Sequence, residues 1–257
     1  MGILEEKMMI AMGRMISGIA LLLVFWAAPP LLAEVAPKPI APTELREMLA
    51  RGSAIPVLIN VMSTLECMDH SIPGSLCLPC EEFVEKAPRL LPDKTKPVVF
   101  YCESDQCYRS CEAAVESLRM GYKQVSVLQG GTPAWKAAGF PTVSRERIPR
   151  VPVESVKSDL LDRWLNEKRE LLILDIRRKA AFDKGHLPGA VNIPFHRLHE
   201  RYPEIPLDAK VVVVDDRGFR SFLASCYLIR KGIGDVKRLF GGMARWEAFA
   251  GRKQTKR

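Results

Sequence analysis

The sequence predicts an α/β protein built from two tandem domains, each an open, mostly parallel sheet flanked by helices. Three observations support this prediction. The two halves of the chain repeat the same motifs in the same order. Within each half, apolar β-branched runs alternate with amphipathic helical patterns. A length of 257 residues, with 47% hydrophobic and 26% charged residues, is that of a globular chain with room for two small domains.

The repeat consists of sequence matches at nearly constant spacing. Residues 57–62 correspond to residues 172–177, with Asn60 opposite Asp175, an offset of 115. Residues 70–75 correspond to residues 185–190 at the same offset. A Gly-Gly pair and a tryptophan then recur at an offset of 111: Gly130, Gly131 and Trp135 in the first half, and Gly241, Gly242 and Trp246 in the second.

Each half predicts the same order of elements. An amphipathic helix leads into an apolar strand, a Pro-Gly turn, a second β-branched strand, a loop and a helix. A further strand, the Gly-Gly turn and a tryptophan-bearing helix complete the unit. The first helix is expected at residues 43–51 and 156–167, the second strand at residues 97–101 and 211–214, and the helix after the first loop at residues 111–119.

These elements predict a first domain at residues 38–147 and a second at residues 152–251, joined by a charged, proline-containing linker. A basic tail at residues 252–257 contributes to the net charge of +8 and is expected to be solvated and mobile. The sequence has no zinc finger, RNA-binding motif or aromatic-interleaved basic stripe, so we expect no nucleic-acid partner.

Residues 1–33 have the pattern of an export segment. Lys7 and Arg14 precede the uncharged, apolar residues 15–33, and a Pro-Pro pair within that stretch would interrupt a helix. The pattern fits a cleaved signal peptide or an uncleaved anchor with membrane attachment through residues 15–33. We therefore expect a periplasmic or otherwise exported protein, in which disulfides can form.

Several motifs resemble those of the rhodanese family. A strand ends in Cys102, Arg109 and Ser110 follow a short loop and open a helix, and a Gly-Gly-x(3)-Trp motif lies downstream. The second half adds Asp-Ile-Arg at residues 175–177 and Gly-His-Leu-Pro-Gly-Ala at residues 185–190. The resemblance covers about residues 40 to 250. It implies a sulfurtransferase that needs no cofactor and carries sulfane sulfur as a cysteine persulfide.

The resemblance makes Cys102 the nucleophile and Arg109 its electrostatic partner. Loop amides and a helix N-terminus stabilise a thiolate, and a fixed arginine can stabilise a thiolate or a sulfur oxyanion. The remaining loop residues are expected to bind substrate: Glu103, Ser104, Asp105, Gln106, Cys107, Tyr108 and Ser110. The alternative is that Cys102 is a buried, inert residue at the end of a strand.

The second half departs from this pattern at the same position. Asp215 aligns with Cys102 and Arg220 with Arg109, so this half is expected to lack sulfur transfer. The first loop is two residues longer, because residues 102–109 align with residues 215–220. The longer loop holds Cys107, which either resolves the Cys102 persulfide by a reversible disulfide or packs inward. Arg217 and Arg220 around Asp215 could bind an anion weakly.

The other cysteines leave several roles open. Cys77 and Cys80 form a Cys-x-x-Cys pair that fits a structural disulfide, free thiols or a redox or metal role, with Cys67 as a third sulfur; we assign no metal site. Cys111 is expected in the core.

Two further side chains of the second half are predicted to be structural. Arg177 is expected to tie a loop through an ion pair with Asp175. His186 fits a turn-stabilising histidine rather than a general base. The first half lacks the ion pair, since it has Asn60 and Met62 at the corresponding positions.

Three functions remain open from the sequence. The first is a thiosulfate sulfurtransferase-like enzyme that takes sulfur from thiosulfate, a persulfide or polysulfide through Cys102 and gives it to a thiophilic acceptor such as a thiol, which can belong to a protein, or cyanide. The second is a thiol redox or sulfur-carrier protein that uses Cys102 and Cys107. The third is a non-catalytic binding module that has kept the fold.

Overall fold

The structure is a computed structural model that describes residues 36–52, 55–103 and 107–255. The predicted export segment at residues 1–33 lies outside these ranges. None of the helices within them has the length and apolar character needed to span a bilayer.

The first repeat is one sheet of five parallel strands with helices around it. Its strands are β1 (Lys38–Ile40), β2 (Val57–Asn60), β3 (Leu76–Cys77), β4 (Val98–Tyr101) and β5 (Val125–Leu128). Its helices are α1 (Pro42–Ala50), α2 (Thr64–Asp69), α3 (Phe83–Leu90), α4 (Tyr108–Arg119) and α5 (Gly131–Ala137). The strand order is β1-β5-β4-β2-β3. A 3-10 turn, Cys80–Glu82, precedes α3.

The second repeat has the same architecture. Its strands are β6 (Ser155–Val156), β7 (Leu172–Asp175), β8 (Val191–Asn192), β9 (Lys210–Val214) and β10 (Asp235–Leu239). Its helices are α6 (Ser158–Asn166), α7 (Lys179–Lys184), α8 (Leu198–Arg201), α9 (Arg220–Arg230) and α10 (Gly242–Thr255), with 3-10 turns at Phe195–Arg197 and Tyr202–Glu204. The strands are parallel in the order β6-β10-β9-β7-β8, which confirms the predicted fold class.

The central strands β4 and β9 place the two loops of interest. Both strands are almost continuously apolar and buried, as expected for a parallel sheet covered on both faces. The carboxyl ends of such strands are where open α/β sheets bind ligands. Cys102 follows β4 and Asp215 follows β9 directly, so the two residues occupy equivalent places in the two repeats.

Several element boundaries differ from the prediction. Val156 lies in strand β6 rather than in the following helix, because it is fully buried and its carbonyl accepts the Phe240 N–H at 2.9 Å. The short strands β1, β3, β6 and β8 were not predicted, since two or three residues carry no readable periodicity.

Two helices also extend beyond their predicted limits. Helix α4 begins at Tyr108, three residues before the predicted start. Helix α10 continues to Thr255, so the first residues of the basic tail are helical, with Arg252 and Lys253 exposed. Lys253 pairs with Asp162 of α6 at 2.7 Å, which holds that end of α10 against the second repeat.

Helix α2 of the first repeat packs against the second repeat. Leu65 is fully buried in a cluster that also holds Ile176 and Leu198, both from the second repeat. Ion pairs flank this contact: Glu82 with Arg197 at 3.1 Å, and Glu81 with Arg178 at 2.9 Å. The apolar contact therefore joins the two repeats through one short helix.

Replacing Leu65 by alanine should lower the free energy of unfolding by about 2–5 kcal/mol, because it leaves a cavity between the repeats. Urea unfolding followed by circular dichroism measures the change. Leu207→Ala is the matched control, since Leu207 is 65% exposed and its loss should change stability by less than about 0.5 kcal/mol. Equal effects of the two substitutions would contradict the packing described for Leu65.

Candidate functional site

Cys102 lies at the end of β4 and is only 1% exposed. Its carbonyl accepts the backbone N–H of Thr132 at 2.9 Å, which ties the strand end to the first turn of α5. Its sulfur donates to the Cys107 carbonyl at 3.3 Å and lies 3.5 Å from Ser110 Oγ. The cysteine is therefore held by the loop and by the start of helix α4.

Cys107 caps the N-terminus of α4 and lies half-buried beside Arg109. Arg109 Nε donates to Cys107 Sγ at 3.3 Å. A hydrogen bond from the Cys102 side chain and the positive charge of Arg109 lower the pKa of the Cys107 thiol, although burial opposes the ionised form. The Cys107 sulfur therefore lies between a hydrogen-bond donor, Cys102, and a positive charge, Arg109, both of which favour its thiolate.

Arg109 is buried and paired with Glu66, a residue that the sequence analysis did not single out. The guanidinium makes two contacts with this carboxylate, at 3.0 and 3.3 Å. Ser63, the N-cap of α2, donates its backbone N–H and its hydroxyl to Glu66 at 2.8 and 2.7 Å. Burial opposes the ionised form, but Arg109 and Ser63 together lower the pKa of Glu66 to about 2. The Ser-x-x-Glu spacing of a capping box was the signal that could have found Glu66.

The other predicted loop residues are spread over different surroundings. Ser110 is buried, whereas Glu103 and Tyr108 are exposed. Glu103 lies 3.0 Å from His70 Nε2, and this contact raises the pKa of His70. Tyr108 is stacked near the guanidinium of Arg178, 5.6 Å from its ring centroid. Ser104, Asp105 and Gln106 lie outside the described residues.

The loops of the two repeats line one cleft with a volume of about 830 Å³. Glu103, Cys107, Tyr108 and Arg109 line it from the first repeat, and Asp215, Asp216, Arg217, Phe219 and Arg220 from the second. Cys107 is therefore the sulfur that faces the cleft among the described residues. The corresponding loop of the second repeat lies on the opposite side of the cleft.

Asp215 fills the position that a reactive sulfur would occupy in the second loop. Its side chain is buried and accepts three backbone N–H groups, from Gly218 at 2.6 Å, Arg220 at 2.8 Å and Ser221 at 3.0 Å. Gly242 packs against this loop so closely that a Cβ there would lie 2.4 Å from the Asp215 carbonyl. The second repeat thus keeps the anion-binding amides and satisfies them with its own carboxylate.

The predicted ion pair of the second repeat is confirmed. Arg177 contacts Asp175 at 2.6 Å and also donates to the Gly185 carbonyl at 2.7 Å. In the first repeat Asn60 keeps one part of this arrangement, because its Oδ1 accepts the Met62 N–H at 3.0 Å. The pair is a structural tie between the strand end and the Pro-Gly turn.

His186 belongs to that same turn of the second repeat. Its ring stacks on Phe182 with centroids 3.9 Å apart, and its Nδ1 lies 3.0 Å from the Phe182 carbonyl. Both contacts are local and fit the structural role predicted for this histidine.

Cys77 forms a disulfide with Cys67 rather than with Cys80. The Cys-x-x-Cys spacing therefore does not describe a bonded pair. Cys80 is half-buried, and burial together with the charges of Glu112 and Glu81 raises the pKa of its thiol to about 12. A neutral thiol of this kind is a weak nucleophile, which argues against a redox role for Cys80.

The prediction that Cys111 belongs to the core is wrong. Its side chain is exposed, because α4 buries the face that carries Ser110, Ala113 and Ala114. Among the residues that the structure describes, no group of three or more His, Cys, Asp or Glu side chains is arranged to hold a metal ion.

The Glu66–Arg109 pair should make stability depend on acidic pH. The pKa of Glu66 is lowered from 4.5 to about 2 on folding, so its contribution is complete above pH 4.5 and is lost as pH falls towards 2. We expect Glu66→Gln to lower the free energy of unfolding by about 3 kcal/mol at pH 7. The difference from wild type should shrink between pH 4.5 and 2.

Urea unfolding at several pH values measures this effect, with Glu247→Gln as the control because Glu247 is exposed. A difference between wild type and Glu66→Gln that stays constant down to pH 2 would show that the carboxylate is not stabilised by Arg109.

A family model described as a rhodanese-like domain matches the chain twice, at residues 41–138 and 158–249. A sulfurtransferase of Allochromatium vinosum is 36% identical over 94 residues, which cover 37% of this chain and 88% of that protein. The thiosulfate sulfurtransferase GlpE of Pseudomonas putida is 34% identical over 84 residues, covering 33% of this chain and 76% of that protein.

Among solved structures, the thiosulfate sulfurtransferase from Pseudomonas aeruginosa is 23% identical, with a TM-score of 0.41. The match covers 83% of this chain and 42% of that chain, so it spans less than half of that protein. The two family matches fall on the two sheets and together cover more than half of the chain. The protein therefore belongs to the rhodanese family, as a tandem of two rhodanese-like domains.

Proposed function

We propose that the protein is an exported sulfurtransferase that carries sulfane sulfur on Cys102. The observation that supports this proposal is the difference between the two loops. Each follows the central strand of its sheet, but only the first presents sulfur there, whereas Asp215 closes the amide cradle of the second. The protein then has one reactive centre, in the first repeat.

In the proposed reaction the Cys107 thiolate accepts the Cys102 proton as Cys102 Sγ attacks the outer sulfur of the donor. The S–S bond of the donor breaks, and its electron pair leaves with the remainder, which is sulfite when the donor is thiosulfate. A thiolate acceptor then attacks the terminal sulfur of the Cys102 persulfide. The new S–S bond forms on the acceptor, and Cys102 is released as a thiolate that takes back the proton.

The chain's own residues would prepare each step. Arg109 stabilises the Cys107 thiolate, and Glu66 fixes the orientation of the guanidinium. The buried position of Cys102 would protect a persulfide from water and oxidants. The donor is a small sulfur anion, a persulfide or polysulfide, and the acceptor is a thiol of a small molecule or a protein.

A second function is favoured by the position of Cys107. Because Cys107 faces the cleft and has a lowered pKa, it can itself take sulfur from the donor. Cys102 would then attack Cys107 Sγ, which forms a Cys102–Cys107 disulfide and releases the outer sulfur as hydrosulfide. An external dithiol would reduce the disulfide and restore both thiols. The protein would then act as a thiol redox or sulfur-carrier protein.

Intact-mass measurements on cysteine variants separate the two functions. Treatment with thiosulfate or polysulfide should add about 32 Da, one sulfur atom, to the wild-type protein. Cys102→Ser should abolish both this gain and sulfur transfer to cyanide. Cys107→Ser should slow the transfer but keep the mass gain, because it removes only the proton acceptor.

The exposed Cys111 provides the control, since Cys111→Ser should behave as wild type. A mass gain that survives in Cys102→Ser and disappears in Cys107→Ser would replace the first function by the second. If Cys102→Ser and Cys107→Ser both keep the mass gain, both proposed functions are contradicted.

Export is proposed on two grounds. Residues 15–33 form the apolar part of a signal, and the Cys67–Cys77 disulfide suits an oxidising compartment. Expression of the full chain in a bacterial host should yield periplasmic protein with a mature N-terminus near residue 34. N-terminal sequencing measures this, and an intact N-terminus in the membrane fraction would indicate an uncleaved anchor. Intact protein in the cytosol with Cys67 and Cys77 reduced would contradict export.

A further inference from the structure

Among the described residues, two arginine side chains of the second repeat lie in the cleft without an acidic partner. Arg220 occupies the position of Arg109, but the residue that corresponds to Glu66 at the repeat offset is Ala181. Within the described parts of the chain, the guanidinium groups of Arg217 and Arg220 form no hydrogen bond and no ion pair. Arg217 is exposed and Arg220 half-buried, so both can reach a molecule in the cleft.

The first repeat provides little positive charge for an anionic substrate. Its arginine, Arg109, forms an ion pair with Glu66 and donates a hydrogen bond to the Cys107 sulfur, so it is already engaged by the protein. Glu103 adds to the same loop a carboxylate that is exposed and lies 3.0 Å from His70 Nε2. A sulfur donor with an oxyanion would meet repulsion on that wall unless cations on the opposite wall compensate.

The opposite wall has such an excess of positive charge. The Asp215 carboxylate is satisfied by three backbone amides, and Arg177 is paired with Asp175. The charges of this loop that remain uncompensated are the two positive charges of Arg217 and Arg220 and the one negative charge of the exposed Asp216. An arginine fork matches the geometry of a sulfonate or a carboxylate better than any other side chain.

We propose that Arg217 and Arg220 bind the anionic end of the sulfur donor, so that the repeat without the nucleophile provides the anion site for the other. The ligand chemistry is a small oxyanion, either the sulfonate of thiosulfate or the carboxylates of a low-mass persulfide. The cleft has room for such a molecule between the two loops. This inference rests on the proposed function and adds the donor site to it.

Calorimetric titration of the Cys102→Ser, Cys107→Ser protein tests the site without sulfur transfer, because neither serine can form a persulfide; the Cys102→Ser protein is titrated beside it. Thiosulfate and S-methylglutathione are the two probes, and they distinguish a sulfonate from a carboxylate donor. Adding Arg217→Gln and Arg220→Gln should weaken binding of the probe that the protein accepts by about tenfold or more. Arg252→Gln removes the same kind of charge on α10, where Arg252 is exposed, and should leave the affinity unchanged.

The proposal is overturned if neither probe binds, or if the double variant binds as tightly as its parent. Thermal unfolding of each variant confirms that the comparison is between folded proteins. In the wild-type background the double variant should raise KM for thiosulfate while kcat is retained. If wild-type protein forms no persulfide but Cys102→Ser binds a probe through the two arginines, then the proposed function fails and the anion site stands.

Discussion

The ion pair between Arg109 and Glu66 is the interaction on which the geometry of the site depends. It joins the start of α4, which carries Cys107, to helix α2. The same short helix inserts Leu65 into the core of the second repeat. Charge at the sulfur site, orientation of its loop and contact between the repeats therefore meet in one element. A substitution in α2 would therefore alter the charge, the loop orientation and the contact between the repeats.

The two repeats differ in the side chain that follows the central strand. In the second, Asp215 accepts three backbone amides, so these amides are satisfied by the protein itself. In the first, the strand ends in Cys102, which we propose carries the sulfur, and the longer loop adds Cys107 with its lowered pKa. The arginine side chains of the second loop, Arg217 and Arg220, line the cleft.

The repeat spacing predicted much of the fold, because buried parallel strands are continuous apolar runs and the offset places Cys102 opposite Asp215. Glu66 was missed, since its pairing with a residue 43 positions away depends on how α2 packs. The Cys67–Cys77 bond could not be selected from the sequence, because three cysteines lie close together along the chain. The exposure of Cys111 depends on which face of α4 is buried. The sequence of one helical turn does not identify that face.

We propose that the protein has a single sulfur-carrying centre, at Cys102. Peptide-resolved mass spectrometry of the polysulfide-treated protein, with fragment ions that separate Cys102 from Cys107, locates the added sulfur. We expect the added sulfur on Cys102, with Cys80, Cys111 and the buried Cys226 of the second repeat unmodified. Added sulfur on Cys107, Cys226 or Cys80, with Cys102 unmodified, would contradict a centre at Cys102.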